Sequence, residues 1–417
     1  MKVFKFGGAS VQDAAAVRNV QRVLSMHSGE SLLVIISAMG KTTNALELVW
    51  QAWQNGLNAY TQLQDSVNYH QKIISELFKP EAEVIKKVDT YWADLKSILE
   101  ESPSDDRDFD YDRIVSLGEL ISTLIVSEFL NENGFSNLWL DAREVVKTDD
   151  FYREARLDWE CTVTAIREVY DDFSGSTIIT QGFIGRSETG HTTTLGREGS
   201  DYSAAIFGFS LNAESVTIWK DVPGMLNADP KFFENTQQLP QISFKEAIEL
   251  SYYGASVIHP KTLKPLQNAG IPLYIKSFLN PGEPGTIIQE SSAHDSLIPS
   301  YIFKTNQVLI SISPRDFSFI VEENLSIIFA MLAQERVRIN LMQNSALSFS
   351  ICVNQDEQRV ASFIKALKAD YQVLYNQPVT LITVRHYTEQ VISQLTTGKK
   401  ILVEQRSRST ARFVVSE

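Results

Sequence analysis

Binding a phosphate takes bare backbone N–H groups, a point cation and a helix start lying close together. Residues 5–8, Lys-Phe-Gly-Gly, supply that combination at the end of the short apolar run Val3, Phe4 and Phe6. Gly7 and Gly8 would let backbone approach phosphate oxygens, with Lys5 as the charge. A tight strand-to-helix turn would use the same two glycines. Residues 37–45, SAMGKTTNA, again follow an apolar run and precede a helical pattern. A P-loop needs a glycine five residues before its Gly-Lys pair, and position 35 is Ile. No GxGxxG is present to mark a dinucleotide site. What remains is a hydroxyl loop of Ser37, Thr42 and Thr43 with Asn44, a composition that also suits a helix cap.

Residues 192–205, TTTLGREGSDYSAA, are the richest segment. Arg197 can hold a carboxylate through two parallel bonds. Gly196 and Gly199 would admit a ligand to the backbone, and Ser200 and Asp201 open a helix of small residues. Asp201 could equally be the cap of that helix. Asp221 stands at the end of SVTIWKD, before a Pro-Gly turn. Ligands of open α/β sheets sit at the carboxyl ends of strands. Lys5, Ser37, Gly182 and Asp221 all fall at such ends.

The elements around these residues read as α/β. Val3–Phe6 and SLLVIIS (31–37) are strands separated by helical spacing of Val11, Val17, Val20 and Leu24. Strand, turn, helix, strand is a βαβ unit, which points to a largely parallel sheet. Residues 44–99 read as helical, with Trp50, Trp53, Leu57, Leu63, Ile73, Ile74 and Leu77 as apolar anchors. ESPSDDRDFDYDR (101–113) reads as a solvated acidic loop. IVSLGELISTLIVSEFL (114–130) is a helix, and Glu119 on it would ordinarily be its solvent face. Beyond about residue 300 the texture changes to a βαββαβ order followed by a shorter repeat of the same kind.

The 417 residues exceed what one core usually fills, so two or three domains are expected. A net charge of −13 argues against nucleic-acid and anionic-membrane partners. No apolar run approaches the roughly 20 residues that span a bilayer. Cys161 and Cys352 are the only cysteines, which fits a reducing cytoplasm and no zinc or disulfide framework.

The segments KFGGAS, SAMGKTTN, SLGELIST, TQGFIG, HTTTLGREGSDYSAA, KDVPGMLNADP and GASVIHPKTL, in this order, give the chain its resemblance to aspartate kinases. These members of the amino-acid-kinase family make 4-phospho-L-aspartate from aspartate and ATP. The likeness runs along nearly the whole chain. It implies an αβα sandwich around a mainly parallel sheet over residues 1–295. ACT-like α+β units at 300–375 and, shortened, at 376–417 would follow. It further implies a monofunctional, feedback-regulated enzyme at the head of lysine, threonine and methionine synthesis. Lysine or threonine would be the effector, bound near INLMQNSALSFS in a homodimer or larger assembly. A kinase of another acidic amino acid, or a catalytically silent amino-acid sensor, are the alternatives.

Residue by residue, the resemblance implies that Arg197 grips the aspartate α-carboxylate and Glu119 its ammonium group. Ser37, Thr43, Phe183 and Ser200 would complete that pocket. Lys5 would meet the transferring phosphoryl group and Asp201 would orient it. Gly7, Gly8, Lys220, Asp221 and Lys231 would serve ATP, with Mg²⁺ bridging its phosphates. Four positions depart from the family: Ala9 for Thr, Glu198 for Gly, Leu226 for Tyr and Ser256 for a phosphate-facing Lys. The Glu198 side chain is expected to point outward, and Lys220, Lys231 or Lys261 is expected to stand in for the missing lysine.

Overall fold

A computed structural model describes residues 1–172, 176–255, 258–316 and 318–416. The chain forms two compact units. The first comprises residues 1–225, 238–248 and 257–292; the second comprises 226–237, 249–256 and 293–417.

In the first unit the order is β1 (Lys2–Phe6), α1 (Ala14–Ser25), β2 (Leu32–Ile36), α2 (Thr42–Gln54), α3 (Tyr60–Leu77), α4 (Glu83–Glu100), α5 (Arg107–Val115), α6 (Leu117–Glu132), β3 (Asn137–Leu140), α7 (Ala142–Val145), β4 (Lys147–Thr148), α8 (Trp159–Asp172), β5 (Thr177–Gln181), β6 (Ile184–Ser187), β7 (Thr192–Thr194), α9 (Gly199–Ser210), β8 (Ser215–Lys220), β9 (Gln241–Ser243), α10 (Phe244–Tyr253), α11 (Pro260–Ala269), β10 (Leu273–Ser277) and β11 (Thr286–Gln289). Only the first part of α10 belongs to this unit.

Eight strands make the main sheet, in the order β3-β5-β2-β1-β8-β10-β11-β9. Every pairing in it is parallel except β10 with β11. All five residues of β2 are buried, so helices must cover both faces of the sheet. Helix α9 lies against β1, β2 and β8, while α6 lies against β2, β3 and β5. Phe4 and Phe6 pack against Trp219, with ring centroids 5.6 and 5.9 Å away. Each buried Phe contributes about 1.5–3 kcal/mol. Strands β4, β6 and β7 form a small second sheet.

Local chemistry sets the helix starts. Asp13 caps α1 by accepting from the Ala16 N–H at 2.8 Å, and Val17, Val20 and Leu24 form its buried stripe. Asp106 caps α5 by accepting from the Asp108 and Phe109 N–H groups. The acidic stretch 101–113 is therefore only partly a solvated loop. Its second half is helix, and Asp110, Tyr111 and Asp112 are buried. Residues 107–132 are also long and apolar enough to cross a membrane, contrary to the sequence reading, but 89% of their apolar window is buried inside the protein. Leu57, expected as an anchor, is 66% exposed.

The second unit contains β12 (Ser300–Pro314), α12 (Glu322–Gln334), β13 (Ile339–Asn344), β14 (Phe349–Asn354), α13 (Arg359–Leu367), β15 (Tyr371–Arg385), α14 (Glu389–Thr396), β16 (Lys400–Arg406) and β17 (Thr410–Ser416). Its antiparallel sheet has the order β13-β14-β12-β15-β17-β16. Strands β12 and β15 are 15 residues each and serve both halves of the unit, with register shifts between Lys304 and Leu309. One half buries Val308, Ile310, Ile328, Phe349, Ile351 and Phe363; the other buries Ile382, Val384, Ile392 and Phe413. The expected division between residues 375 and 376 falls inside β15.

Candidate active site

Four parallel strands, β5, β2, β1 and β8, lie side by side and end at one edge of the sheet. The loops leaving those ends line a cleft of about 790 Å³. Gly8, on the turn after β1, is required by close approach. A Cβ there would lie 2.6 Å from the Gly40 carbonyl oxygen and 2.8 Å from that of Ala38. The Gly40 N–H also donates to the Gly8 carbonyl at 3.0 Å, so the loops after β1 and β2 are locked together. Gly182, after β5, is equally constrained: a Cβ would lie 2.6 Å from the Ser200 Cβ. The first turn of α9 thus sits directly on the end of β5. Phe183 follows in a left-handed conformation (φ 73°), and its N–H donates to Ser203 Oγ at 2.9 Å.

The charges converge on Asp201. Its Oδ1 is 2.6 Å from Lys5 Nζ and its Oδ2 is 3.4 Å from Lys220 Nζ. Burial pushes this carboxyl up, but the two ammonium groups outweigh burial and its pKa lies below the usual value. The result is a fixed cluster of two cations on one anion at the ends of adjacent strands β1 and β8. Of the three lysines expected to stand in for the one the family carries at position 256, Lys220 is a lining residue of the cleft. Lys261 lines a separate pocket, with Trp159 and Tyr202. Position 256 itself lies outside the described residues.

Glu119 sits in the first turn of α6 and is 3% exposed. Burial pushes its carboxyl up to about 8, against the pull of Lys5 and of the Ala38 N–H. Its Oε2 has no hydrogen-bond partner among the described residues. Sequence alone favoured a solvent-facing glutamate; the structure instead places it in the cleft wall. Arg197 lines the same cleft, and no ion pair to it is found among the described residues. Ser37, Thr43, Phe183 and Ser200 line the cleft as well.

Gly7 is not a lining residue, although a Cβ on it would be 3.5 Å from Lys5 Nζ. Asp221 is exposed just beyond β8, and Lys231 is exposed in a segment of the second unit. Glu198 does not point outward. It lines the cleft, with a left-handed backbone (φ 55°) and a buried Oε2 lacking a hydrogen-bond partner among the described residues. That backbone also explains why glycine suits this position.

Sequence reasoning missed one wall. Asp108, Tyr111, Phe151, Tyr152 and Arg153 line the cleft as well. The Arg153 guanidinium lies over the Tyr111 ring at 4.1 Å and within 3.4 Å of Asp108. Its positive φ of 67° hid it, because nothing in the local sequence signals that turn.

A sequence model of the amino acid kinase family matches residues 1–277. Chloroplastic aspartokinase 1 of Arabidopsis thaliana is 32% identical over 84% of this chain, which spans 63% of that protein's length. Lysine-sensitive aspartokinase 3 of Escherichia coli is 31% identical over 84% of this chain and 78% of its own. The crystal structure of E. coli aspartokinase III with lysine and aspartate superimposes with a TM-score of 0.84 at 26% identity, covering 100% of this chain and 96% of that one. The same enzyme with aspartate and ADP gives 0.82, with the same identity and coverage. The chain belongs to the amino acid kinase family and, within it, to the aspartokinases.

Proposed function

We propose that the protein transfers the γ-phosphoryl group of ATP to the side-chain carboxylate of L-aspartate, giving 4-phospho-L-aspartate. The observation that carries this is a division of charge within one cleft. A buried carboxyl whose Oε2 has no hydrogen-bond partner among the described residues, Glu119, and a guanidinium with no ion pair among them, Arg197, suit the two ends of an α-amino acid. The Lys5–Asp201–Lys220 cluster suits a phosphoryl group. The E. coli aspartokinase solved with aspartate and ADP supports the same pairing of ligands.

The chemistry needs little from the protein beyond placement and charge. The attacking carboxylate is ionised at neutral pH, so no general base is required. Arg197 takes the α-carboxylate and Glu119 the ammonium group. Ser37, Thr43, Phe183 and Ser200 close around the amino acid. Lys5 stabilises charge building on the transferring oxygens, and Asp201 holds Lys5 and Lys220 in position beforehand. Gly7, Gly8, Lys220 and Asp221 serve the nucleotide.

Among the described residues no three His, Cys, Asp or Glu side chains converge as a metal cage. Asp201 is committed to two lysines and the Glu119 pKa of about 8 keeps it mostly protonated at neutral pH. The described residues thus offer Mg²⁺ no cage, and the ion would enter on the ATP phosphates, neutralising their charge.

The second unit would report an end-product amino acid. Lysine is the favoured effector, supported by the lysine sensitivity of the E. coli relative, and threonine is the other. Exposed Phe319, Met342 and Leu347 on this unit support self-association. Two free cysteines are compatible with a cytoplasmic setting.

The test is aspartate-dependent ADP release with Mg²⁺-ATP, trapping the acyl phosphate with hydroxylamine. Hydroxamate should form from aspartate and not from glutamate or N-acetylglutamate. Equal yields from the other acids, or no turnover with any of them, would overturn the assignment.

A further inference from the structure

We infer that Asp112, which does not line the cleft, is a positioning residue that sets the placement of Arg197 and hence the affinity for the amino-acid substrate. This rests on the reading of Arg197 given above. Asp112 is fully buried on α5. Its carboxylate collects three donors from two separate segments. The Thr194 N–H donates to Oδ2 at 2.8 Å and the Thr194 hydroxyl to Oδ1 at 2.7 Å. The Arg153 N–H donates to Oδ2 at 3.0 Å. A buried carboxylate is tolerated only when its lone pairs are occupied in this way, so the three bonds form one interdependent set.

Both tied segments lead to Arg197. Thr194 ends β7, and the chain passes through Leu195 and Gly196 to reach it. The loop carrying Arg153 packs on the same stretch: the Ala155 N–H donates to the Thr194 carbonyl at 3.0 Å, and a Cβ on Gly196 would lie 3.2 Å from the Arg153 carbonyl oxygen. On the other side the Leu195 N–H donates to the Phe183 carbonyl at 2.8 Å. The base of the Arg197 loop is therefore held from two directions, and one carboxylate ties the Thr194 and Arg153 segments together. No ion pair to the Arg197 side chain is found among the described residues, so its aim depends on this base. Arg153 in turn keeps a left-handed backbone (φ 67°) while giving its N–H to Asp112. Such a conformation persists only where its surroundings impose it.

The test compares wild type, Asp112→Asn, Thr194→Val, Arg197→Ala and the Asp112→Asn/Arg197→Ala double variant. Aspartate affinity is measured by calorimetry, and kcat and both KM values by steady-state kinetics. Asp112→Asn should raise the aspartate Kd and KM roughly 10- to 100-fold, the effect of a small misplacement of a binding group. The ATP KM should stay put, and kcat at saturating aspartate should change less than about 3-fold. Thr194→Val keeps both backbone bonds and should shift aspartate affinity less, in the same direction. In the Arg197→Ala background Asp112→Asn should add less than about 2-fold, because the two act through one contact.

A loss confined to kcat or to the active fraction, or full additivity with Arg197→Ala, would overturn the inference. If Asp112→Asn fails to fold, an unchanged aspartate Kd in Thr194→Val overturns it instead. Failure of the wild type to bind or turn over aspartate would point to the functional assignment. Wild-type turnover that responds to Arg197→Ala but not to Asp112→Asn would refute only the positioning role.

Discussion

Glu119→Gln separates what the cleft needs for binding from what it costs the fold. Burial raises this carboxyl from 4.5 to about 8. At about 1.4 kcal/mol per pH unit, charging Glu119 in the folded protein costs about 5 kcal/mol more than in the unfolded chain. The sign follows from which state holds the proton. Between about pH 4.5 and 8 the folded protein keeps it and the unfolded chain has released it. The contribution of Glu119 to stability therefore falls as pH rises through that window and is flat above it. Glutamine carries no such term. Glu119→Gln should be the more stable protein at pH 8 to 9, by about 2–5 kcal/mol after local relaxation, with the advantage vanishing towards pH 4.5. Urea denaturation of the ligand-free protein at several pH values measures this directly.

Substrate should reverse the ranking. An ammonium group bound at Glu119 requires the ionised carboxylate, so binding near pH 7 should release close to one proton. Calorimetry in buffers of different ionisation enthalpy would register that proton, and aspartate affinity should rise towards pH 8. The Gln variant should lose the proton release and raise the aspartate KM by about 10²-fold, as expected for a lost charge-assisted hydrogen bond of about 2–3 kcal/mol. Buffer-independent heats in the wild type, or a Gln variant that is less stable at pH 8 while its KM is unchanged, would refute the reasoning.

Three further outcomes test other parts of the site. Lys5→Ala should lower kcat by about 10²-fold or more through loss of a preorganised charge, and should lower the melting temperature by removing the nearer of the two ammonium groups on Asp201 and leaving Lys220 at 3.4 Å; unchanged turnover would remove Lys5 from the mechanism. Gly182→Ala forces a methyl to within 2.6 Å of the Ser200 Cβ. It should cost about 1–3 kcal/mol in denaturant melts and raise the aspartate KM by displacing Ser200. Glu198→Gly relieves a left-handed residue and removes a carboxylate beside Arg197. It should add about 1 kcal/mol of stability and lower the aspartate KM several-fold, and a higher KM would show that Glu198 assists binding.

What could be read from the residues was what is local to them. Lys5, Gly8 and the hydroxyl loop each follow an apolar run directly, so strand end and cleft-lining turn are written side by side. Asp112 could not be read this way. Its partner Thr194 is 82 residues away, and its own neighbourhood is so acidic that exposure was the natural expectation. The Asp106 cap and the packing of Asp110 and Asp112 against distant segments turn that stretch into a buried helix. The twofold use of β12 and β15 was hidden for a related reason. A long strand shared by two halves has the same alternation as two shorter ones.

The placement of the lysine pair has a topological cause. From β1 the sheet continues through β2 and β5 to one side and through β8 and β10 to the other. The loops leaving β1 and β8 therefore diverge, and a crevice opens between them at the sheet's switch point. Lys5 and Lys220 come from those two strands, and α9 brings Asp201 to both. Strand periodicity then fixes which residue of β1 must be the lysine. Lys5 pairs with Ile35 and Ile218, while Phe4 and Phe6 turn to the Trp219 side. A slip of one residue would aim the ammonium group into that aromatic cluster and a phenyl ring at Asp201. The alternation Phe-Lys-Phe is thus a statement about the site as well as about the core, since the same register that buries the rings delivers the charge.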